Sequence, residues 1–487
     1  MVNKLKKYIM KQIKILVMLL LGVVVVSCQS DFLEPAPTSG VTSGNYYTTA
    51  DEVETAVINM YDGIQGINST STDDNHGVQY EFYLTEMRSD NTRTKSQEGE
   101  AAQFESYDVT ATNGIVSDYY ASYYNIIFRA NVVLQNLGVV QDPNVSAKFE
   151  AEAKFVRAYA YFNLVRLFGD IPLVDRVISP LETDIQFTRV ATSSIYELIE
   201  SDLINAVASL DNTYNTRASK AAAQALLAKV YLTEGKYTLA QGLCEDVINS
   251  GKFDLMTNFY DVFYSERNKE IIFAIGYEIG LSDDSQNFSA EWMNGVGRTS
   301  GVNYVTDDAI AAITAAGGDR TQYSFRTDPF QTTQTQVAKY FPNGDSGGAT
   351  GRTFASDPTL AGNDWIVLRY ADVLLMHVEA IMAGGTDTSV AAALTSFQKV
   401  QDRAFPATAP NTKSTITKDE LLLERRVELA FENHRLFDLI RFGRAESVLS
   451  ALSSANGYSY TSTDLLLPIP QNEINISQGV MKQNPGY

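Results

Sequence analysis

The chain has 487 residues, with 38 lysines and arginines against 58 aspartates and glutamates, and a formal charge of −20. Apolar residues make up 45% and charged residues 20%, values of a folded globular protein that exclude wholesale disorder. The acidic balance argues against nucleic acid, two cysteines rule out a disulfide scaffold or a Cys-rich metal site, and three histidines leave little for a zinc enzyme. The length fits roughly three average domains or one large helical array.

Lys4, Lys6, Lys7, Lys11 and Lys14 open the chain with no acid among them, and an apolar run follows over residues 15–26. That run is shorter than the roughly 20 residues needed to span a bilayer. A basic start with a short apolar stretch predicts a secretory signal peptide over residues 1–27; the competing reading is a buried core helix. The stretch closes at Val25-Val26-Ser27-Cys28, which resembles a bacterial lipobox, after which the cysteine is freed and lipidated. Loss of residues 1–27 removes five lysines and no acids, moving the formal charge to −25. Several acyl chains on Cys28 would anchor the protein firmly. Asp31 and Glu34 follow soon after, resembling the signal that carries Bacteroidetes lipoproteins to the cell surface. The other cysteine, Cys244, sits among Leu243, Val247 and Ile248 and reads as a small buried hydrophobe.

Pro35, Pro37, Ser39 and Gly40 place a short tether over residues 28–45. Val53, Val57 and Tyr61 predict a helix over 50–64. Residues 62–115 are polar and loop-like, and helical periodicity resumes over 117–140. A strong helix is predicted over 147–168, with Phe155, Ala158, Tyr159, Phe162 and Val165 on one stripe; Gly169 ends it and Pro172 prevents its resumption. Helices follow over 193–210, 218–234 and 237–250. Ala222, Leu226, Ala228, Tyr231, Gly235, Tyr237 and Ala240 resemble the tetratricopeptide pattern, in which small residues allow close helix approach and the glycine permits the turn. Residues 280–362 are loop-rich apart from a helix over 307–316, and long irregular stretches in compact proteins tend to be functional. Trp292 and Trp365 fall in it or at its edge. Helices return over 366–382, 390–403 and 418–442, and the tail around Pro468 and Pro470 is extended.

An ordered series of segments then stands out. It comprises Phe155-Val156-Arg157-Ala158-Tyr159-Ala160-Tyr161-Phe162 with Phe168-Gly169-Asp170-Ile171-Pro172, and Leu368-Arg369-Tyr370-Ala371-Asp372. Glu424-Arg425-Arg426-Val427-Glu428 with Glu432 and His434-Arg435 follows, then Leu467-Pro468-Ile469-Pro470 and the closing Asn484-Pro485-Gly486-Tyr487. The series covers nearly the whole length after residue 27 and resembles the SusD/RagB family of outer-membrane nutrient-binding lipoproteins. The resemblance implies a mainly α fold over residues 46–487, with tetratricopeptide-like helix pairs packed against an irregular, loop-rich ligand-binding half. It also implies a lipid-anchored protein on the outer face of the outer membrane, without a cofactor, serving as a lid over a SusC-like TonB-dependent transporter. The implied cargo is an oligosaccharide, or in some members a peptide. One departure is Asp118-Tyr119-Tyr120, where the family usually has a Trp at the start of the helix.

The region from Glu424 to Arg441 is dense in charge. It reads either as a catalytic carboxylate cluster or as an ion-pair network locking helices together. Val427, Ala430, Phe431 and His434 mark a core-facing stripe and favour the network, with His434 a core residue rather than a general base. His76 lies in a polar loop and His377 near Glu379; the histidines show neither ligand spacing nor a nucleophile–His–Asp arrangement. No carboxylate pair is singled out for glycoside hydrolysis. The expectation is a binding protein, not an enzyme, with a tetratricopeptide-type envelope scaffold and a surface hydrolase as the competitors.

A sugar ring offers an apolar C–H face to aromatics and a hydroxyl rim to polar side chains. Two segments carry that mixture, residues 86–93 and residues 292–304, the second with Met293, Asn294 and Arg298. In the resembled family the ligand site forms between loops from about these regions. The expectation is that Trp292 stacks on the sugar, Tyr304 assists, and Asp90, Asn91 and Arg93 hold polar groups. The competing readings are ordinary loop packing for Trp292 and a local salt bridge for Arg88 and Asp90.

Overall fold

The computed structural model describes residues 46–66, 77–94, 99–179, 182, 187–213, 217–281, 283–292, 303–328, 332–341 and 359–487, with a few positions among the first twelve. The signal segment, Cys28, His76, Met293, Asn294 and Arg298 lie outside the described residues. The chain forms two compact units, Met1–Glu52 and Val53–Tyr487. In the first, the Glu52 carboxylate accepts the backbone N–H groups of Thr48 and Thr49 at 2.8 and 2.9 Å. The second unit carries the fold described below.

Helix α1 spans Ala50–Gln65, α2 Gly77–Leu84 and α3 Gly99–Ser106. The polar composition of residues 62–115 pointed to loops, but α2 and α3 form because Phe82, Tyr83, Leu84 and Phe104 bury almost completely. Tertiary burial there outweighs weak local propensity. Helix α4 spans Gly114–Gln135 and α5 Pro143–Phe168. Asp142 caps α5 by accepting the N–H of Asn144 at 2.8 Å, and Pro143 occupies the first turn, where a missing N–H costs nothing. Gly169, at φ +70°, closes it. Ala151, Ala153, Ala158 and Ala160 are fully buried, so neighbouring helices approach α5 closely on several sides. Arg157 sits in that buried helix and donates Nε and Nη2 to Asp202 at 2.8 and 2.9 Å.

Helices α6 (Thr192–Ser209), α7 (Lys220–Thr233) and α8 (Tyr237–Asn249) follow. Packing runs in sequence: α4 on α5, α5 on α6, α6 on α7, and α7 on α8. Ser219 caps α7, whose alanines at 221, 222, 223, 225 and 228 are fully buried. Gly235, at φ +73°, makes the tight turn into α8.

The second half mixes short strands with helices. Strand β1 is Thr92–Arg93, β2 Ile271–Ile275, β3 Tyr304–Val305 and β4 Trp365–Arg369. Helix α9 spans Asp307–Ala316, α10 Tyr370–Met382, α11 Ala391–Ala404, α12 Lys418–Glu428, α13 Arg435–Arg441 and α14 Ala445–Asn456. Strands β2 and β4 pair antiparallel, as do β1 and β3. A core of Leu374, Leu375, Val378, Phe397, Val400, Leu421, Leu436 and Leu439 joins α10 to α13.

Two expected helices differ. Residues 366–382 are β4 followed by α10, not one helix. The run from Trp365 to Leu368 is apolar without alternation because four of the five β4 residues are buried, so periodicity could not separate strand from helix. Residues 418–442 are α12 and α13 with a break between them, in which Phe431 and Asn433 take φ of +67° and +62°. Long-range bonds hold the break. Lys339 Nζ and Arg369 Nη2 donate to the Glu428 carbonyl at 3.0 and 2.7 Å, and the Asn433 N–H reaches Glu86 Oε1 at 2.9 Å.

Candidate ligand-binding surface

The dense charges form the expected network. Arg369 donates Nε to Glu432 at 2.7 Å and Nη1 to Glu270 at 2.9 Å and Glu428 at 2.5 Å. Arg320 bonds Glu424 and Glu428 at 2.6 and 2.8 Å, Lys339 bonds Glu432 at 2.7 Å, and Arg403 bonds Glu270 and Glu428. Four carboxylates thus face four cations in a buried site, where unpaired charge would be costly. The arginines around Glu428, against the opposing pull of burial, hold its carboxyl well below the usual range; burial pushes the Lys339 ammonium down to about 8. His434 is driven down to about 3 by burial and by Lys229, and stays neutral. This cluster ties β2, β4, α11, α12 and the chain around Arg320 and Lys339 together, and its acids are occupied.

A second clamp shapes the loop after α2. Asp90 takes Arg435 Nε and Nη2 at 2.7 and 2.8 Å, and Arg426 approaches it at 3.1 Å. Asn91 Oδ1 accepts Arg426 Nε at 2.9 Å, while its Nδ2 donates to Glu86 at 3.2 Å. The Thr306 hydroxyl donates to the Asp90 carbonyl at 2.7 Å, and the Thr306 N–H to the Asn91 carbonyl at 3.0 Å. These bonds set β1 beside β3 with Thr92 opposite Val305 and Arg93 opposite Tyr304.

The β1–β3 pair brings two of the expected ligand residues together at a partly exposed edge. The Arg93 guanidinium carbon lies 5.1 Å from the Tyr304 ring centre. Both side chains are half-buried. Arg93 Nη1 reaches Asn456 Oδ1 at 3.4 Å, and its buried Nε has no partner. Next to it, Glu105 accepts the Thr94 N–H at 2.6 Å and the Tyr458 hydroxyl. Burial raises the Tyr304 hydroxyl above its ordinary value while Arg93 works against the rise. Arg93, Tyr304, Tyr458 and Asn456 therefore make a surface of aromatic bodies and polar handles. Tyr458 and Asn456 were not anticipated. Their one sequence signal is the aromatic Gly457-Tyr458-Ser459-Tyr460 segment after α14, far from either loop segment.

The other expected residues are placed differently. Trp292 is 2% exposed, in T-shaped contact with Phe82, Tyr340 and Phe431 at 5.6, 5.5 and 6.1 Å. An aromatic cluster encloses it, so the expectation of a ring presented to a sugar is corrected to loop packing. Asp90 and Asn91 are buried and spent on Arg435 and Arg426, so their expected ligand role is corrected to positioning β1. Arg88, 1% exposed, donates to the carbonyls of Leu84 and Asp464 rather than to an acid.

A cleft of about 250 Å³ opens elsewhere, with Tyr264, Glu266, Tyr277, Glu278, Asn363 and Asp364 in its wall. Burial raises Asp364 to about 6. Its polar groups are largely committed: Asp364 accepts the Tyr277 N–H at 3.1 Å and Asn363 Nδ2 bonds the Phe341 carbonyl at 3.0 Å.

A stack of helix pairs braced by buried ion pairs against an irregular half, with a loop-built aromatic and arginine edge, defines a mainly helical scaffold carrying a surface site. Residues 355–487 match the model of the SusD family, and residues 31–232 match one described as starch-binding and associating with the outer membrane. SusD-like protein P2 of Formosa agariphila is 29% identical over 98% of this chain and all of its own length. The starch-binding protein SusD of Bacteroides thetaiotaomicron is 24% identical over 69% of this chain and 72% of its own. A solved laminarin-binding SusD-like protein superposes with a TM-score of 0.75 at 25% identity, covering 91% of this chain and all of that one. Surface glycan-binding protein A of Bacteroides thetaiotaomicron, solved with laminarihexaose, gives 0.73 at 22% identity, covering 90% of this chain and all of that one. The chain belongs to the SusD/RagB family.

Proposed function

We propose that the chain is a lipid-anchored protein of the outer membrane that captures an oligosaccharide at the cell exterior and passes it to a SusC-like TonB-dependent transporter. One observation carries the binding site: Arg93 and Tyr304, from two separate loop segments, meet at a partly exposed edge with Tyr458 and Asn456 beside them. A sugar face packs on such rings and its hydroxyls bond the polar tips. The laminarin-binding and laminarihexaose-bound structures of the same fold support a glycan as cargo. Residues 1–27 act as the signal, Cys28 carries the lipid and residues 28–45 form the tether. The protein holds its ligand without turnover.

The test is a glycan array probed with the detergent-solubilised full chain, wild type and Tyr304→Ala, with a peptide library as a second arm. Binding of a glycan class by the wild type, weakened in Tyr304→Ala, supports the reading. Capture of peptides alone would favour the peptide-carrying branch of the family, and no binding in either arm would favour an envelope scaffold. Cys28→Ser should shift the protein out of the membrane fraction; unchanged sedimentation with membranes would overturn the lipid anchor.

A further inference from the structure

Most buried arginines among the described residues are answered by an acid or a carbonyl. Arg157, Arg320, Arg369, Arg403, Arg425, Arg426, Arg435 and Arg441 each bond a carboxylate. Arg88 and Arg166 lack an acid but spend N–H groups on the carbonyls of Leu84, Asp464 and Phe162. Arg93 differs. Among the described residues it forms no ion pair, its Nη1 reaches Asn456 at 3.4 Å, it acts on the Tyr304 hydroxyl, and its buried Nε donates to nothing. Glu105, the acid on which Arg93 acts electrostatically, is occupied by Thr94 and Tyr458. A half-buried guanidinium over a tyrosine ring and in no ion pair is a planar fork held ready for an oxyanion.

We infer that this surface selects a glycan bearing carboxylate or sulfate groups, the anion bonding the Nη edge of Arg93 while the sugar body packs on Tyr304 and Tyr458. The inference rests on the glycan reading above and narrows it. The net charge of −20 does not oppose it at contact distance, because exposed charges beyond about 8 Å are largely screened at physiological salt. Glu105 and Asp307 act on Tyr304 from nearby and oppose an anion there, so the anion has to bond Arg93 directly. A bidentate charged pair at a partly desolvated site is worth about ten- to hundredfold in affinity.

The experiment is calorimetric titration of the detergent-solubilised full chain with three probes. They are uronate oligosaccharides, the same oligosaccharides with their carboxyls reduced to alcohols, and sulfated neutral oligosaccharides; acidic peptides serve as a fourth arm. Wild type should bind at least one anionic glycan about ten- to hundredfold more tightly than its neutral counterpart, with affinity falling as salt rises. Arg93→Gln should erase that preference, and Arg93→Lys should restore only part of it, with unchanged thermal unfolding in both variants. Which anion wins separates a uronate from a sulfate ester. Equal affinity for charged and reduced glycans, untouched by Arg93→Gln, overturns the anionic class and leaves the glycan reading standing. Binding of acidic peptides alone overturns both.

Discussion

Arg369 bonds Glu432 through two nitrogens, Nε at 2.7 Å and Nη2 at 2.8 Å, although Glu432 lies beyond the end of the helix that carries Glu428. The same guanidinium takes the Glu428 carbonyl, so one side chain both neutralises the acids and ends the helix. A buried network of this kind is weak evidence for stability but strongly intolerant of losing one member.

Arg369→Met should therefore unfold the protein at much lower denaturant. It leaves Glu270, Glu428 and Glu432 short of charge in a site with almost no water access, at a cost of about 3–5 kcal/mol. Urea titration followed by circular dichroism measures the difference. A shift below about 1 kcal/mol would show that the remaining cations, Arg320, Arg403 and Lys339, suffice.

Glu81 gives stability a dependence on pH. Burial raises its carboxyl from the ordinary 4.5 to about 7. A carboxyl raised in the folded state contributes fully below the unfolded value and progressively less as pH rises towards the folded one. Wild type should lose about 2–3 kcal/mol from this group between pH 4.5 and 7, and Glu81→Gln should flatten the curve over that window. Urea midpoints at pH 5 and pH 8 decide it; parallel curves for the two proteins would refute the assignment. The opposite slope comes from Glu428 and Asp372, both held below the usual carboxylate range against the pull of burial, Glu428 chiefly by Arg403 and Asp372 chiefly by Lys229. Their contribution is present above the unfolded value and disappears as pH falls through the lowered one.

Trp292 and Tyr304 should separate stability from binding. Trp292→Ala empties an enclosed aromatic site and should cost about 3–5 kcal/mol. Tyr304→Ala removes a half-buried ring on a two-residue strand and should leave the unfolding temperature nearly unchanged while weakening ligand binding. Differential scanning calorimetry with a binding titration on each variant checks both halves. Loss of binding in a fully folded Trp292→Ala would return that ring to the ligand site.

Much of the helical framework was legible locally. The stripe of residues 147–168, the helical runs over 193–210, 218–234 and 237–250, the stop at Gly169 and the turn at Gly235 depend on backbone bonds and side-chain neighbours a few residues apart, so the sequence by itself determined α5 to α8 to within a few residues. It also determined that the acids from Glu424 to Glu432 needed arginines. Only the tertiary structure decided that residues 365–369 run as a strand, that the chain breaks between α12 and α13, that Trp292 is enclosed, and that Arg93 forms no ion pair among the described residues. Each of those outcomes depends on partners distant along the chain, as Asp90 is from Arg435, 345 residues away. No local pattern records which acid reaches which guanidinium, because closing such loops is governed by the packing of the whole core.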